Sequence, residues 1–395
     1  MFRVIFSTAA LCVAIVAFAV SQARPQSASD GQFIFRFDTF GDEQLWTDKL
    51  RMQEALKNVS PRTALSFGLK VDSDALPPAL IDAIKAGQVN LDDPAVTIEL
   101  LKLNAVVGII GKVGANDTLV SIGITCALCH STVDNSVAPG IGKRLDGWPN
   151  RSLNVGAIIA LSPAIGDKTQ FQSWGPGKFD PRLQYFDGTN IVPLFPPTLP
   201  AVIPPAFGLQ GINFEIFTGD GPISYWNNYV GVTQMGGHGS FCDARIGICV
   251  TQTPDMVVPK LPALLAYQLS LQTPPPPPGS FDEAAARRGQ AVFNARCARC
   301  HIPPLFTDVN NATDPTRPLL HAPGEIGMEP VYSARSATKI GYRTTPLRAL
   351  WQHPPYFHDG SAPTLRAVVN HYDLVLMLGL TDQQKADLLE YLKTL

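Results

Sequence analysis

Cys126-Ala127-Leu128-Cys129-His130 and Cys297-Ala298-Arg299-Cys300-His301 are two copies of one pattern, Cys-x-x-Cys-His, set well apart in a chain of 395 residues. Two thiols separated by two residues reach the two vinyl groups of one porphyrin and bond to it as thioethers. A histidine directly after them then falls under the iron. The pattern therefore implies two covalently bound haem c groups. Cys126, Cys129, Cys297 and Cys300 are the attachment points, and His130 and His301 the proximal ligands. A thioredoxin-like redox pair has no need of the histidine, and a zinc site needs further cysteines or histidines at close spacing.

Three of the seven cysteines lie outside these motifs. Cys12 falls in an apolar run, Val4 to Val20, that follows Arg3 and precedes Ser21-Gln22-Ala23. A short positive start, an apolar run and small residues at a cleavage position read as a signal peptide over residues 1–23, cut near Ala23. An uncleaved anchor is the alternative. The mature chain is expected in the periplasm, with no stable membrane span after cleavage. In an oxidising compartment the other two, Cys242 and Cys249, most simply form a local disulfide.

A formal net charge of -2 supplies no basic field, so nucleic acid is not an expected partner. Proline is abundant, 35 residues against 32 glycines, while apolar residues still make up 45%. That mixture points to compact domains with long ordered loops. Pro274 to Pro278 form an unbroken run that favours extended backbone, and it is read as a linker over 273–280. An N-terminal haem domain would span 24–272 and a C-terminal cytochrome c domain 281–395.

Within the second domain, Ser280 and Glu283 have capping-box spacing, and the helix they start is expected to run through Ala284 to about Asn294. Thr381 and Gln384 form another such box, with Leu388, Leu392 and Leu395 at helical spacing. In the first domain, Asp42 to Leu56 reads as one helix, and Asp93-Pro94 starts another that continues to Ile110. From Trp174 to Gly239 mostly loop is expected. The fold class is mainly α: two cytochrome c-type haem domains with long Pro/Gly-rich loops.

Four further segments carry a resemblance: Pro304-Leu305-Phe306-Thr307-Asp308, Thr344-Thr345-Pro346-Leu347-Arg348, Pro355-Tyr356-Phe357-His358-Asp359-Gly360-Ser361 and Val368-Val369-Asn370-His371-Tyr372. Together they resemble the bacterial di-haem cytochrome c peroxidases. They are also similar to the di-haem enzyme that matures a tryptophan-derived quinone and to the di-haem rubber oxygenases. The resemblance spans about a hundred residues, up to Leu395.

It implies ligands and partners. The peroxidases place a methionine where this chain has Tyr372, and the quinone-maturing enzyme's tyrosine implies Tyr372 as second ligand of the C-terminal haem. His358 is the competing candidate and Met328 the third, with His353 and His371 in supporting roles. At the N-terminal haem, no histidine stands between His130 and His238. That favours an open distal face, or a ligand from Met235 or His238. The resemblance places Trp174 between the haems. Glu215 is the nearest counterpart to the peroxidases' catalytic carboxylate, a general acid-base role. It also leaves room for calcium between the domains.

Two functions follow as expectations. In the first, an open N-terminal haem reacts with a small oxidant such as hydrogen peroxide, while the C-terminal haem relays electrons from a small periplasmic donor protein. In the second, the protein is a non-catalytic periplasmic electron-transfer cytochrome. An oxygenase or cofactor-maturing activity of the same superfamily is a third.

Overall fold

The computed structural model describes residues 27–310 and 313–395. The expected leader, residues 1–23, lies outside the described residues. Helix accounts for about 36% and strand for 13%, so the expectation of a mainly α chain needs correcting. Among the described residues the strands form six separate two-stranded ladders rather than one sheet.

One ladder shows why the helical reading overreached. The helix that Asp93 caps, through its carboxylate on the Ala95 N–H, ends at Lys102 and not at Ile110. Asn104 turns the backbone left-handed at φ 51°. The β-branched residues beyond it then enter an antiparallel pair, Ile109–Val113 against Leu119–Ile124. That hairpin leads straight into the first Cys-x-x-Cys-His motif.

The expected helix from Asp42 to Leu56 is also two elements. Gln44–Lys49 is wound as a π-helix, Arg51 sits at φ 54°, and an α-helix resumes at Met52–Leu56. Leu45, Met52 and Leu56 are nevertheless buried together, as their spacing implied. Between Trp174 and Gly239 the chain is mostly loop and short strand, but Ile223–Tyr229 is helical. Cys242 and Cys249 are disulfide-bonded, opposite each other across the strands Phe241–Asp243 and Ile248–Val250.

The C-terminal residues build a core of their own from Phe293, Leu350, Val369, Leu380, Leu388, Tyr391 and Leu392. Its frame is two crossing helices, Glu283–Arg296 and Asp382–Leu392. The second starts at the Thr381–Gln384 capping box. The first starts two residues later than Ser280 suggested. Asp282 is the N-cap, accepting from the Ala285 N–H at 2.8 Å, because its carboxylate also meets the positive end of the helix. At the crossing, Gly289 lies so close to the facing helix that a Cβ there would sit 2.0 Å from the Asp387 carbonyl oxygen.

Buried polar contacts tie the two halves together. Asp180 pairs with Arg335 at 3.1 Å and Glu215 with Arg343 at 2.9 Å. Asp220 accepts from the Ala337 N–H at 3.1 Å. Pairs this buried contribute little net stability, but removing one partner is costly, so they fix where one half sits on the other. Among the described residues no helix is long and apolar enough to cross a membrane.

Candidate functional site

The two motif histidines are held in the same way by different parts of the chain. His130 lies at the end of the short helix Ala127–His130, its Nδ1 3.1 Å from the Pro204 carbonyl. Its own carbonyl accepts from the Gly147 N–H at 2.8 Å, and that of Cys129 from the Asn150 N–H at 2.9 Å. His301 follows the Glu283–Arg296 helix, its Nδ1 3.0 Å from the Phe306 carbonyl. Phe306 supplies that carbonyl from a left-handed turn at φ 53°.

A carbonyl accepts but cannot donate. Each Nδ1 therefore carries the proton, and each Nε2 keeps its lone pair for a metal. Burial lowers the His130 pKa to about 4 and lowers that of His301, so both rings are neutral at pH 7. Burial pushes Cys126 and Cys129 up to about 12 and Cys297 up to about 11. Reactive redox cysteines and zinc thiolates need the opposite shift. Thiols kept protonated beside a neutral imidazole fit thioether attachment with histidine ligation, and this donor set fits haem c at both motifs.

The candidate distal groups differ in what already holds them. Tyr372 is partly buried with its ring edge-on to Phe357 and His371, and desolvation pushes its hydroxyl up to about 12. His358 Nε2 is 2.6 Å from Glu329 Oε1, and its ring is caged by Phe217, Tyr332 and Tyr342. Met328 is partly buried, in a loop closed by its N–H on the Pro323 carbonyl. His371 and His353 contact the carbonyls of Ile326 and Arg348 at 2.9 and 3.0 Å.

Near the first motif, Met235 is buried in the same apolar cluster as Ala127. His238 turns its Nδ1 to the Pro254 carbonyl at 2.8 Å. Trp174 packs edge-on against Phe171 and Phe179 and donates to Thr198 Oγ1 at 2.7 Å. Thr198 in turn bonds Asp180, the partner of Arg335. Glu215 places one oxygen on Arg343, while Oε1 is buried with no hydrogen-bond partner among the described residues.

Sequence reasoning missed Asp42 and Glu329. Asp42 is fully buried, accepts from the Ile124 N–H at 3.1 Å, and is held well above the usual carboxylate range by burial. Neither belongs to a recognisable motif. The carbonyls of Pro204 and Phe306 have no sequence signal at all, since every residue carries one. Among the described residues one trio of ligand-type side chains gathers, Cys300, Asp308 and His321. A thiol, a nitrogen and a carboxylate are far from the six to eight oxygens calcium takes.

The C-terminal fold and the donor set are those of a cytochrome c-like domain, and they point to haem c as cofactor. Its resemblance is to the bacterial di-haem cytochrome c peroxidase superfamily. A family described as RoxA-like, cytochrome c-like matches residues 341–373. Over 94 residues the chain is 36% identical to the methylamine utilization protein MauG of Methylorubrum extorquens, covering 22% of this chain and 25% of that protein. Over 123 residues it is 28% identical to the uncharacterized protein y4iM of Sinorhizobium fredii, covering 22% and 28%. The chain thus spans only about a quarter of the length of these curated relatives.

Two solved structures are also similar in part. Hydrazine synthase of Kuenenia stuttgartiensis is 31% identical over 37% of this chain and 56% of its own, with a TM-score of 0.23. A MauG-like protein associated with microbial copper homeostasis is 24% identical over 36% and 55%, with a TM-score of 0.28. Such scores are too low for a shared overall fold.

Proposed function

We propose that this chain is an exported di-haem c-type cytochrome acting as a peroxidase-like oxidoreductase. Hydrogen peroxide is consumed at the first motif, and the second takes electrons from a small periplasmic donor protein. Each peroxide needs two electrons and two protons and yields two waters. A haem c at each motif supplies one-electron redox chemistry when bound. Cys126, Cys129, Cys297 and Cys300 anchor the groups, while His130 and His301 offer Nε2 to the metal.

The observation that carries the reading is the matched setting of those two histidines, each with Nδ1 on a backbone carbonyl. At the first motif, the lack of any histidine between His130 and His238 supports an open face. At the second, Tyr372 and His358 compete as distal ligand, and the 2.6 Å contact of His358 Nε2 with Glu329 favours Tyr372. The chain of contacts from Trp174 through Thr198 and Asp180 to Arg335 is consistent with a bridging place for that indole. The division into 24–272, 273–280 and 281–395 belongs to the same proposal, as does export through residues 1–23.

A specific observation favours the second reading, an electron carrier. Glu215 is engaged by Arg343 rather than free to move protons. Electron paramagnetic resonance of the oxidised holoprotein separates the two. The peroxidase reading expects one high-spin and one low-spin haem; the carrier expects two low-spin haems. Rapid mixing of the reduced protein with peroxide completes the test, and no haem oxidation would exclude the peroxidase.

A further inference from the structure

A second set of buried groups, away from the cysteines and histidines of the motifs, lies where the two halves meet. Nε and Nη1 of Arg151, Nη2 of Arg348 and Nε1 of Trp351 are buried and find no hydrogen-bond partner among the described residues. Interactions link Arg151 and its neighbour Trp148 to the segment that carries Arg348 and Trp351. The charge of Arg151 is felt at both His353 and Tyr356, and His353 Nε2 lies 3.0 Å from the Arg348 carbonyl. The Trp351 ring meets Trp148 edge-on, centroids 5.7 Å apart.

Each is also tied to backbone that pins the first motif. Arg151 follows Asn150, whose N–H bonds the Cys129 carbonyl. Trp148 follows Gly147, whose N–H bonds the His130 carbonyl. Arg348 reaches the Phe207 carbonyl at 3.4 Å, three residues beyond the Pro204 carbonyl that holds His130.

Two guanidinium groups with buried N–H atoms that no carboxylate meets are an unstable arrangement. An unpaired buried cation is costly, and proteins pair it or bind an anion to it. Glu215, whose charge reaches Arg348, gives one oxygen to Arg343 and leaves Arg348 Nη2 without a hydrogen bond among the described residues, and no carboxylate acts on Arg151. Burial pulls both arginines below their usual range, to about 10, and the Arg343 charge adds to this at Arg348. The orphaned atoms are all N–H donors, and guanidinium forks match carboxylates bidentately. The missing partner is therefore a carboxylate, or a pair of them, lying between the halves and beside the first motif.

We infer that Arg151 and Arg348, with Trp351 Nε1, bind the propionate carboxylates of the haem attached at Cys126 and Cys129. One arginine comes from the N-terminal half and the other from the C-terminal half, so the haem's acidic edge is gripped by both. Neither arginine touches the iron; they are positioning residues that neutralise the group's charge. This rests on the reading that the first motif carries haem.

The test uses the holoprotein with both haems, comparing Arg151→Gln, Arg348→Gln and the corresponding lysine variants with the parent. Spectroelectrochemical titration reads each haem's midpoint potential, and resonance Raman reads the propionate bending modes. Each glutamine variant should lower the midpoint of the first haem and move its propionate mode, leaving the second haem where it was. Lysine should restore most of the midpoint but not the bidentate mode.

An unchanged first haem in both glutamine variants, or an equal shift in both haems, overturns the inference. A free carboxylate is the other source of the same chemistry. If added acetate shifts the parent's first haem and the shift needs either arginine, the site is exchangeable and the assignment is wrong. Should Arg151→Gln not fold, Arg348→Gln and the two lysine variants decide the matter. Absence of haem at the first motif in the parent would instead sink the underlying reading, and haem content measured beforehand keeps the two failures apart.

Discussion

Replacing Gly289 with alanine should break the C-terminal half at its tightest point. The added methyl would sit 2.0 Å from the Asp387 carbonyl oxygen, 2.5 Å from its carbonyl carbon and 2.9 Å from the Leu388 nitrogen. All three are backbone atoms of the Asp382–Leu392 helix, so no side-chain rotation relieves the clash. The helices must separate, and Phe293, Leu388 and Tyr391 lose contact with one another. Overpacking typically costs about 1–3 kcal/mol, and alanine returns up to about 1 kcal/mol in helix propensity. Because backbone meets backbone here, we expect the upper end, a net loss of about 2 kcal/mol, roughly thirtyfold in the folding equilibrium. Gly324 is the control, since a Cβ there meets nothing within 4 Å. Gly324→Ala should be neutral or slightly stabilising. Denaturant titration followed by circular dichroism compares the two. If Gly289→Ala cost no more than Gly324→Ala, the close crossing of the helices would be wrong.

Four other outcomes are expected. Glu215→Gln strands Arg343 in a buried site and should cost about 3–5 kcal/mol; if Glu215 is structural, the folded fraction should oxidise with peroxide as fast as the parent. Tyr372→Phe should change the spectrum of the second haem, whereas His358→Phe should lose only the Glu329 bond and some stability; the reverse pattern would make His358 the ligand. Burial raises the Asp42 pKa, so its contribution is intact below the unfolded value near ~4 and is lost as pH climbs through the raised folded value. Asp42→Asn should therefore gain on the parent as pH rises from 4, and a pH-independent difference in a denaturation series would refute this. Removing the Cys242–Cys249 disulfide with serines opens a loop with a sequence separation of 7 and should cost about 2–3 kcal/mol by thermal or chemical melting.

What the sequence revealed follows how local each signal is. The Thr381–Gln384 cap and the pairing of Cys242 with Cys249 are set by residues a few positions apart, and each was legible. Helix ends were read less well. Arg51 and Asn104 adopt left-handed backbone without being glycine, so nothing in composition warned that helices stop there. The valines and isoleucines after Asn104 suited a buried helix or a strand equally well, and the pairing of Ile109–Val113 with Leu119–Ile124 decided it. Long-range partners were least visible. That Glu329 reaches His358, or that Asp180 meets Arg335, depends on how distant segments pack, and no spacing encodes it.

The central claim is that porphyrin is bonded through sulfur at two places in this one polypeptide. Intact mass spectrometry of the mature protein, made in a host able to attach the cofactor, tests it most directly, with single Cys126→Ala and Cys297→Ala variants alongside. The account predicts a mass above that of the bare chain by two haem groups, and tight attachment lost at one motif in each variant while the other is retained. A mass equal to the amino-acid chain alone, with no Soret absorption, would contradict it.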